Sequence, residues 1–316
     1  MGTPELARVG LGALLAGEFR IVGVITQPDR PKGRDLKLTP SPVKELALRS
    51  NLPVLQPERA RNENFIEELA KLKPDLIVVA AFGQILPQSI LDLPRFGCIN
   101  VHTSLLPKYR GAAPIQWAIL NDEYETGVTI MKMDAGMDTG AILTQEKILI
   151  HESDNAQTLH DRLATMGAEL LMRTIPDYVA GKIPPRPQPT EGISYAPKIK
   201  KQDGQIDWTQ PARAIWNRVR GLVPWPGAYT HVPAEPTPYL LKIWEAEPIQ
   251  QSGTPGQILN ADKHGIVVAC GQDALRIRQL QLESGKRLTS PQFLMGHQLT
   301  PGQKPFLSGL GQTFPL

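Results

Sequence analysis

The chain has 316 residues, 41% of them apolar and 21% charged, with a formal net charge of +3. That balance excludes a disordered or fibrous chain, and the length favours two domains of unequal size. No run approaches the roughly 18 apolar residues of a membrane span, no charged-then-apolar leader opens the chain, and Cys98 and Cys270 are too few for a disulfide framework, so a protein of the reducing cytoplasm is expected.

The first half alternates β-rich runs with helical stretches, the pattern of a mostly parallel sheet flanked by helices. Gly10 and Gly12 lack the third glycine of a dinucleotide fingerprint and fall in a helix. Phe19 to Thr26 reads as a strand. Ser41 and Pro42 open a helix, the serine as N-cap and the proline at the first helical position. Phe65, Ile66, Leu69 and Leu72 line one face of a helix over Glu63 to Leu72. Asp75 to Ala81 is a near-continuous apolar run, expected of a strand buried on both faces. Cys98 to His102 is the next strand. Helix Ala113 to Leu120, strands Gly127 to Met133 and Ala141 to Ile150, and a long helix from Gln157 to Val179 follow.

Ile183 to Pro189 carries four prolines and can hold neither a helix nor a central strand, so it reads as an extended linker. Beyond it come a helix, Pro211 to Leu222, and strand-like runs at Tyr239 to Ala246, Gly256 to Leu259, Gly265 to Cys270 and Leu275 to Leu282. Short strands broken by Gly, Pro and Asp suggest a small antiparallel barrel, with an oligonucleotide-binding (OB-like) barrel as one candidate. The expected fold is therefore α/β: a doubly wound, mostly parallel, Rossmann-like sheet over 1–180, a linker over 181–205 and a C-terminal β-barrel domain over 206–316. Residues 207–316 hold ten basic and seven acidic side chains, which accounts for the whole charge excess. Lys182, Arg186, Lys198, Lys200 and Lys201 lie just before it against the single acid Glu191. Such a bias suits a polyanionic partner, although basic clusters are also ordinary solvated surface.

Open α/β sheets bind ligands at the carboxyl ends of their strands. Asn100 and His102 close one strand and, two residues apart, face the same side. Asp138 follows the next strand between Gly136 and Gly140, where glycines let the backbone carry a carboxylate toward that side. An amide, an imidazole and a carboxylate suit acyl transfer to an amine: two N–H donors for the oxygen that develops negative charge, and a carboxylate to orient the ring. The plainer readings are a structural Asn-x-His pair and a turn aspartate, and Asp134 competes with Asp138 for the same role. Ser104 lacks a nucleophile elbow, and His102, His151 and His160 lack zinc spacing.

Gly97 to Gln116 (GCINVHTSLLPKYRGAAPIQ) and Glu125 to Gly140 (ETGVTIMKMDAGMDTG) strongly resemble the folate-dependent formyltransferases. The resemblance implies Asn100, His102 and Asp138 as the catalytic trio and no metal. It also implies that 10-formyltetrahydrofolate lies against Ser104, Leu105, Leu106 and Pro107, with Phe82, Gly83, Ile85 and Leu86 forming its pterin pocket. Thr26 to Lys44 (TQPDRPKGRDLKLTPSPVK) looks like the loop that the members acting on methionyl initiator tRNA carry, which implies tRNA contacts by Arg34, supported by Lys32 and Lys37. Pro224 to Gly227 resembles the entry to the family's tRNA-binding C-terminal barrel. Family members are commonly monomeric. Members acting on an amino sugar nucleotide, and a catalytically idle tRNA-binding protein, are the rivals. The family opens on a short apolar strand leading into Gly-Thr-Pro-Glu, whereas Met1 here directly precedes Gly2, Thr3, Pro4 and Glu5. The expectation is that this central strand is missing and that translation truly starts upstream.

Overall fold

In the computed structural model, Leu6, Ala7 and Leu11 share the buried side of α1 (Glu5–Ala16), the spacing an amphipathic helix presents to a core. Residues 1–32, 37–232, 238–304 and 306 are described, Lys32 and Lys37 in backbone only. Contacts divide the chain into two units: Met1–Pro114, Glu125–Leu149 and Thr158–Lys198 form the first, and Ile115–Tyr124, Ile150–Gln157 and Ile199–Leu316 the second.

After α1 come β1 (Val24–Ile25), a hairpin of β2 (Arg30–Lys32) and β3 (Lys37–Thr39), α2 (Pro42–Arg49), β4 (Val54–Leu55), α3 (Glu63–Lys71) and β5 (Ile77–Val79). Ser41 caps α2, its hydroxyl accepting from the Lys44 N–H at 3.1 Å. Next are α4 (Gln88–Leu91), β6 (Cys98–His102), β7 (Arg110–Gly111), α5 (Pro114–Leu120), β8 (Glu125–Lys132), β9 (Ile142–Leu149), α6 (Ala156–Val179) and β10 (Tyr195–Ala196). The main sheet runs β5-β6-β8-β9, parallel between β5 and β6 and antiparallel thereafter. The sheet is thus mixed rather than mostly parallel. The segment joining β8 to β9, residues 133–141, is shorter than the dozen or so residues a parallel crossover needs, so the chain turns straight back.

β1 pairs in parallel with β4 as a separate ribbon. Met1 and Gly2 join it to β5. Gly2 N–H donates to Ile25 O at 2.9 Å, the Met1 amine to Val78 O at 2.6 Å, and Ala80 N–H to Met1 O at 2.9 Å. Alongside lies a cavity of about 750 Å³ lined by apolar side chains including Val24, Leu69, Val101, Leu171 and Ile175. β1 is short, two residues against the expected Phe19 to Thr26, because Phe19 to Gly23 have no ladder partner to define them as strand.

The second unit continues with α7 (Ala212–Gly221), β11 (Ala228–Val232), β12 (Tyr239–Ile249), β13 (Ile258–Asp262), β14 (Gly265–Ala269), β15 (Ala274–Leu282), β16 (Arg287–Thr289) and α8 (Ser290–Leu294). Its antiparallel sheet is ordered β11-β12-β15-β14-β13, with β16 also on β15. This is the small barrel-like domain expected, and among the described residues it does not close into a barrel. Trp208, Ile215, Leu241, Ile243, Ile277 and Leu280 lie at its centre.

Candidate active site

All five residues of β6 are buried. Its alternation sends Asn100 and His102 to one side, opposite Met131 and Thr129 of β8. The His102 Nε2 lies 2.9 Å from Tyr109 O and its Nδ1 3.7 Å from Asp138 Oδ2. Asn100 Nδ2 donates to Asp138 Oδ1 at 3.4 Å, and the Gly111 N–H donates to Oδ2 at 2.9 Å. Nε2 is thus within hydrogen-bond reach of an oxygen, whereas Nδ1 stands beyond that reach beside the carboxylate.

Asp138 takes φ +52°, a left-handed conformation that aspartate tolerates better than most residues. Gly140 allows the turn: a Cβ there would stand 1.8 Å from Lys132 O. Asp134, the rival carboxylate, accepts from Gly136 N–H at 3.1 Å and Thr139 Oγ1 at 2.8 Å and so stays inside its own turn. The structure brings Asp138, not Asp134, to Asn100 and His102.

The Ser104 hydroxyl donates to Lys108 O at 2.6 Å and is fully buried. The loop through Leu106 and the cis Pro107 hangs on two residues that sequence reasoning missed. Thr129 Oγ1 donates to Ser104 O at 2.6 Å and accepts from Leu106 N–H at 3.1 Å. Gln145 Nε2 donates to Leu106 O and Thr129 Oγ1, both at 2.9 Å. Thr129 and Gln145 are register partners on β8 and β9; the sequence held no signal for Gln145, and for Thr129 only a polar residue flanked by Val128, Ile130 and Met131. Leu105 is half-buried, and Leu106 packs with Met131 and Ile142. In the 82–86 segment, Phe82 and Leu86 turn into the core beside Ile25 and Phe65, Gly83 takes φ +82°, and Ile85 points outward at 82% exposure. Lys32 and Lys37 are register partners in the β2–β3 hairpin, and Arg34 lies outside the described residues.

Two further residues were not expected. Gln188 Nε2 donates to Asp138 O and to Gly140 O, each at 2.8 Å, while its Oε1 accepts from Arg110 Nε at 3.1 Å and Nη2 at 2.7 Å. Among the described residues, no group of three or more His, Cys, Asp or Glu side chains is placed to hold a metal ion.

Residues 2–175 match the family described as Formyl transferase, and residues 198–298 match Formyl transferase, C-terminal domain. The chain belongs to the formyl transferase family. Along nearly its whole length it is similar to methionyl-tRNA formyltransferases: that of Geobacter sulfurreducens is 48% identical over 304 residues, covering 96% of this chain and 95% of the relative. That of Caldanaerobacter subterraneus is 50% identical over 305 residues, covering 96% and 97%. Among solved structures, the N-formyltransferase of Helicobacter canadensis in complex with folinic acid and dTDP-3-aminofucose superposes with a TM-score of 0.65 at 20% identity, over 87% of this chain and 97% of that one. HypX from Aquifex aeolicus in complex with tetrahydrofolic acid gives 0.57 at 20% identity, over 79% and 43%. At those identities the likeness is one of fold.

Proposed function

We propose that the chain transfers the formyl group of 10-formyltetrahydrofolate to the amino group of methionyl initiator tRNA. The relatives about half identical over nearly the full length support the substrate pair. The convergence of Asn100, His102 and Asp138 at one strand end is the observation that carries the chemistry.

The methionine amine attacks the formyl carbon of 10-formyltetrahydrofolate; when the adduct collapses, the bond from that carbon to N10 breaks, N10 takes up the proton that the amine gives up, and tetrahydrofolate leaves. As the new C–N bond forms, negative charge develops on the formyl oxygen, and Asn100 Nδ2 and the His102 ring are the N–H donors for it. Tyr109 O holds the ring at Nε2, so Nδ1, 3.7 Å from Asp138 Oδ2 and beyond hydrogen-bond reach of it, is the ring N–H left for the formyl oxygen, and the nearby carboxylate compensates positive charge on the imidazole while it carries a proton. The Ser104 hydroxyl is committed to Lys108 O, so transfer is direct and needs no acyl-serine. The folate lies against Ser104, Leu105, Leu106 and Pro107 and the 82–86 turn. Lys32, Arg34 and Lys37 meet the acceptor end of the tRNA, and the basic excess of 207–316 meets its body. The reading places the domain limits at 1–180 and 206–316 and includes a monomer in the cytoplasm; no described helix is long and apolar enough to cross a membrane.

The test supplies 10-formyltetrahydrofolate with methionyl initiator tRNA or with an amino sugar nucleotide. Formylation of the tRNA alone is expected. Formylation of the sugar nucleotide instead, or tRNA binding without turnover, would overturn the reading.

A further inference from the structure

The proline-rich segment after α6 does more than connect. At Arg186 it pairs with Ile142 at the start of β9, through Ile142 N–H to Arg186 O at 2.7 Å and Arg186 N–H to Ile142 O at 2.9 Å. Two residues on, Gln188 spans the turn that carries Asp138, binding the carbonyls of Asp138 and Gly140 with its amide N–H groups. Ser194 then accepts from Tyr109 N–H with its hydroxyl and from Arg110 N–H with its carbonyl, both at 2.9 Å, and β10 pairs in parallel with β7. Gly111, which donates to Asp138 Oδ2, has no room for a side chain against this segment: a Cβ would stand 2.7 Å from Ala196 O.

Four contacts thus come from one extended segment, one onto the start of β9 and three onto the two loops that flank His102. One loop carries Tyr109 and Gly111, the other Asp138. The fork of Gln188 is the only one of them that touches the Asp138 turn, and it does so with both donors while its oxygen is held by the buried guanidinium of Arg110. A glutamine is the side chain that fits, since two carbonyls need donors and a guanidinium needs an acceptor.

We propose that Gln188 is a positioning residue for formyl transfer, and that residues 186–196 act as a strap holding the Asp138 carboxylate at His102. This rests on the reading of Asp138 given above. The strap explains why proline suits this stretch: the ring fixes φ, so the segment reaches the turn extended without ordering many free dihedrals.

Steady-state kinetics of Gln188→Met and Gln188→Glu, with Asp138→Ala alongside, test it on the full chain. Gln188→Met keeps the length and loses the hydrogen bonds; kcat should fall by about 10- to 10²-fold, the scale of an ~1 Å misplacement. Gln188→Glu keeps an acceptor for Arg110 but turns a carboxylate oxygen toward two carbonyls, so its kcat should be the lower of the two. The KM for folate and for tRNA should stay within about twofold, as a change felt in the transition state alone requires. Unchanged kcat in both variants, or equal losses that follow a fall in melting temperature, would overturn the strap. If Asp138→Ala keeps the full rate, the reading of Asp138 falls and the strap with it. An inactive Asp138→Ala beside fully active Gln188 variants removes the strap alone.

Discussion

Asn100→Ala and His102→Ala should each slow formyl transfer by about 10²–10³-fold, or roughly 2.7–4 kcal/mol of transition-state stabilisation. Both side chains are buried at the end of β6, where an N–H donor acts in a low dielectric and needs no reorganisation as charge develops. The loss should fall on kcat, with the KM for methionyl-tRNA little changed, because these donors act on an oxyanion that the ground state lacks. The double variant should lose far less than the product of the two, since residues acting as one unit are not additive. Asp134→Ala is the internal control. Among the described residues its carboxylate serves Gly136 and Thr139 in its own turn, so the rate of this variant should remain close to that of the parent. A rate for His102→Ala close to the parent's would remove the proposed chemistry.

The largest effect on stability is expected at Trp208. Its side chain is completely buried, donates to Thr230 Oγ1 at 3.2 Å and stacks on Phe306 with ring centroids 5.5 Å apart. Trp208→Ala should cost about 3–5 kcal/mol, a large share of the ~5–15 kcal/mol that holds a domain folded. Trp225, 55% exposed, is the comparison: Trp225→Ala should leave the urea midpoint within the scatter of surface substitutions. Midpoints that shift equally for the two tryptophans would contradict this account of the core.

How much was legible depended on whether the signal was local. β6 runs over the expected residues because a short apolar run there ends in polar ones, and α2 starts where Ser41 and Pro42 place it. β11, β16 and α8 were missed: each is only three to five residues long, too short for a periodic apolar pattern to show. In the site, Asn100 and His102 could be paired from strand alternation alone. Spacing could not separate Asp138 from Asp134, since both sit among glycines and only the direction of the backbone at φ +52° decides which carboxylate reaches His102. The pairing of Gln188 with Arg110 was invisible because it spans 78 residues of sequence, and the family segment Gly97 to Gln116 that contains Arg110 gives no sign of its partner.

The cavity beside β1 has a volumetric consequence. Applied pressure favours whichever state of a chain occupies less space, and unfolding under pressure is driven by the internal voids it eliminates, typically with volume changes of about −20 to −100 mL/mol. A space of about 750 Å³ walled by Val24, Leu69, Val101 and Leu171 and opening to solvent past Glu18 and Arg20 lies in the first unit, next to the sheet that carries Asn100 and His102, and the part of it that water does not fill adds to that volume change. The second unit, with Trp208 and its neighbours interlocked at its centre, has a different mechanical character. Compression would therefore act on the sheet that carries Asn100 and His102 through the side facing that space, and fillers of the space would stiffen it.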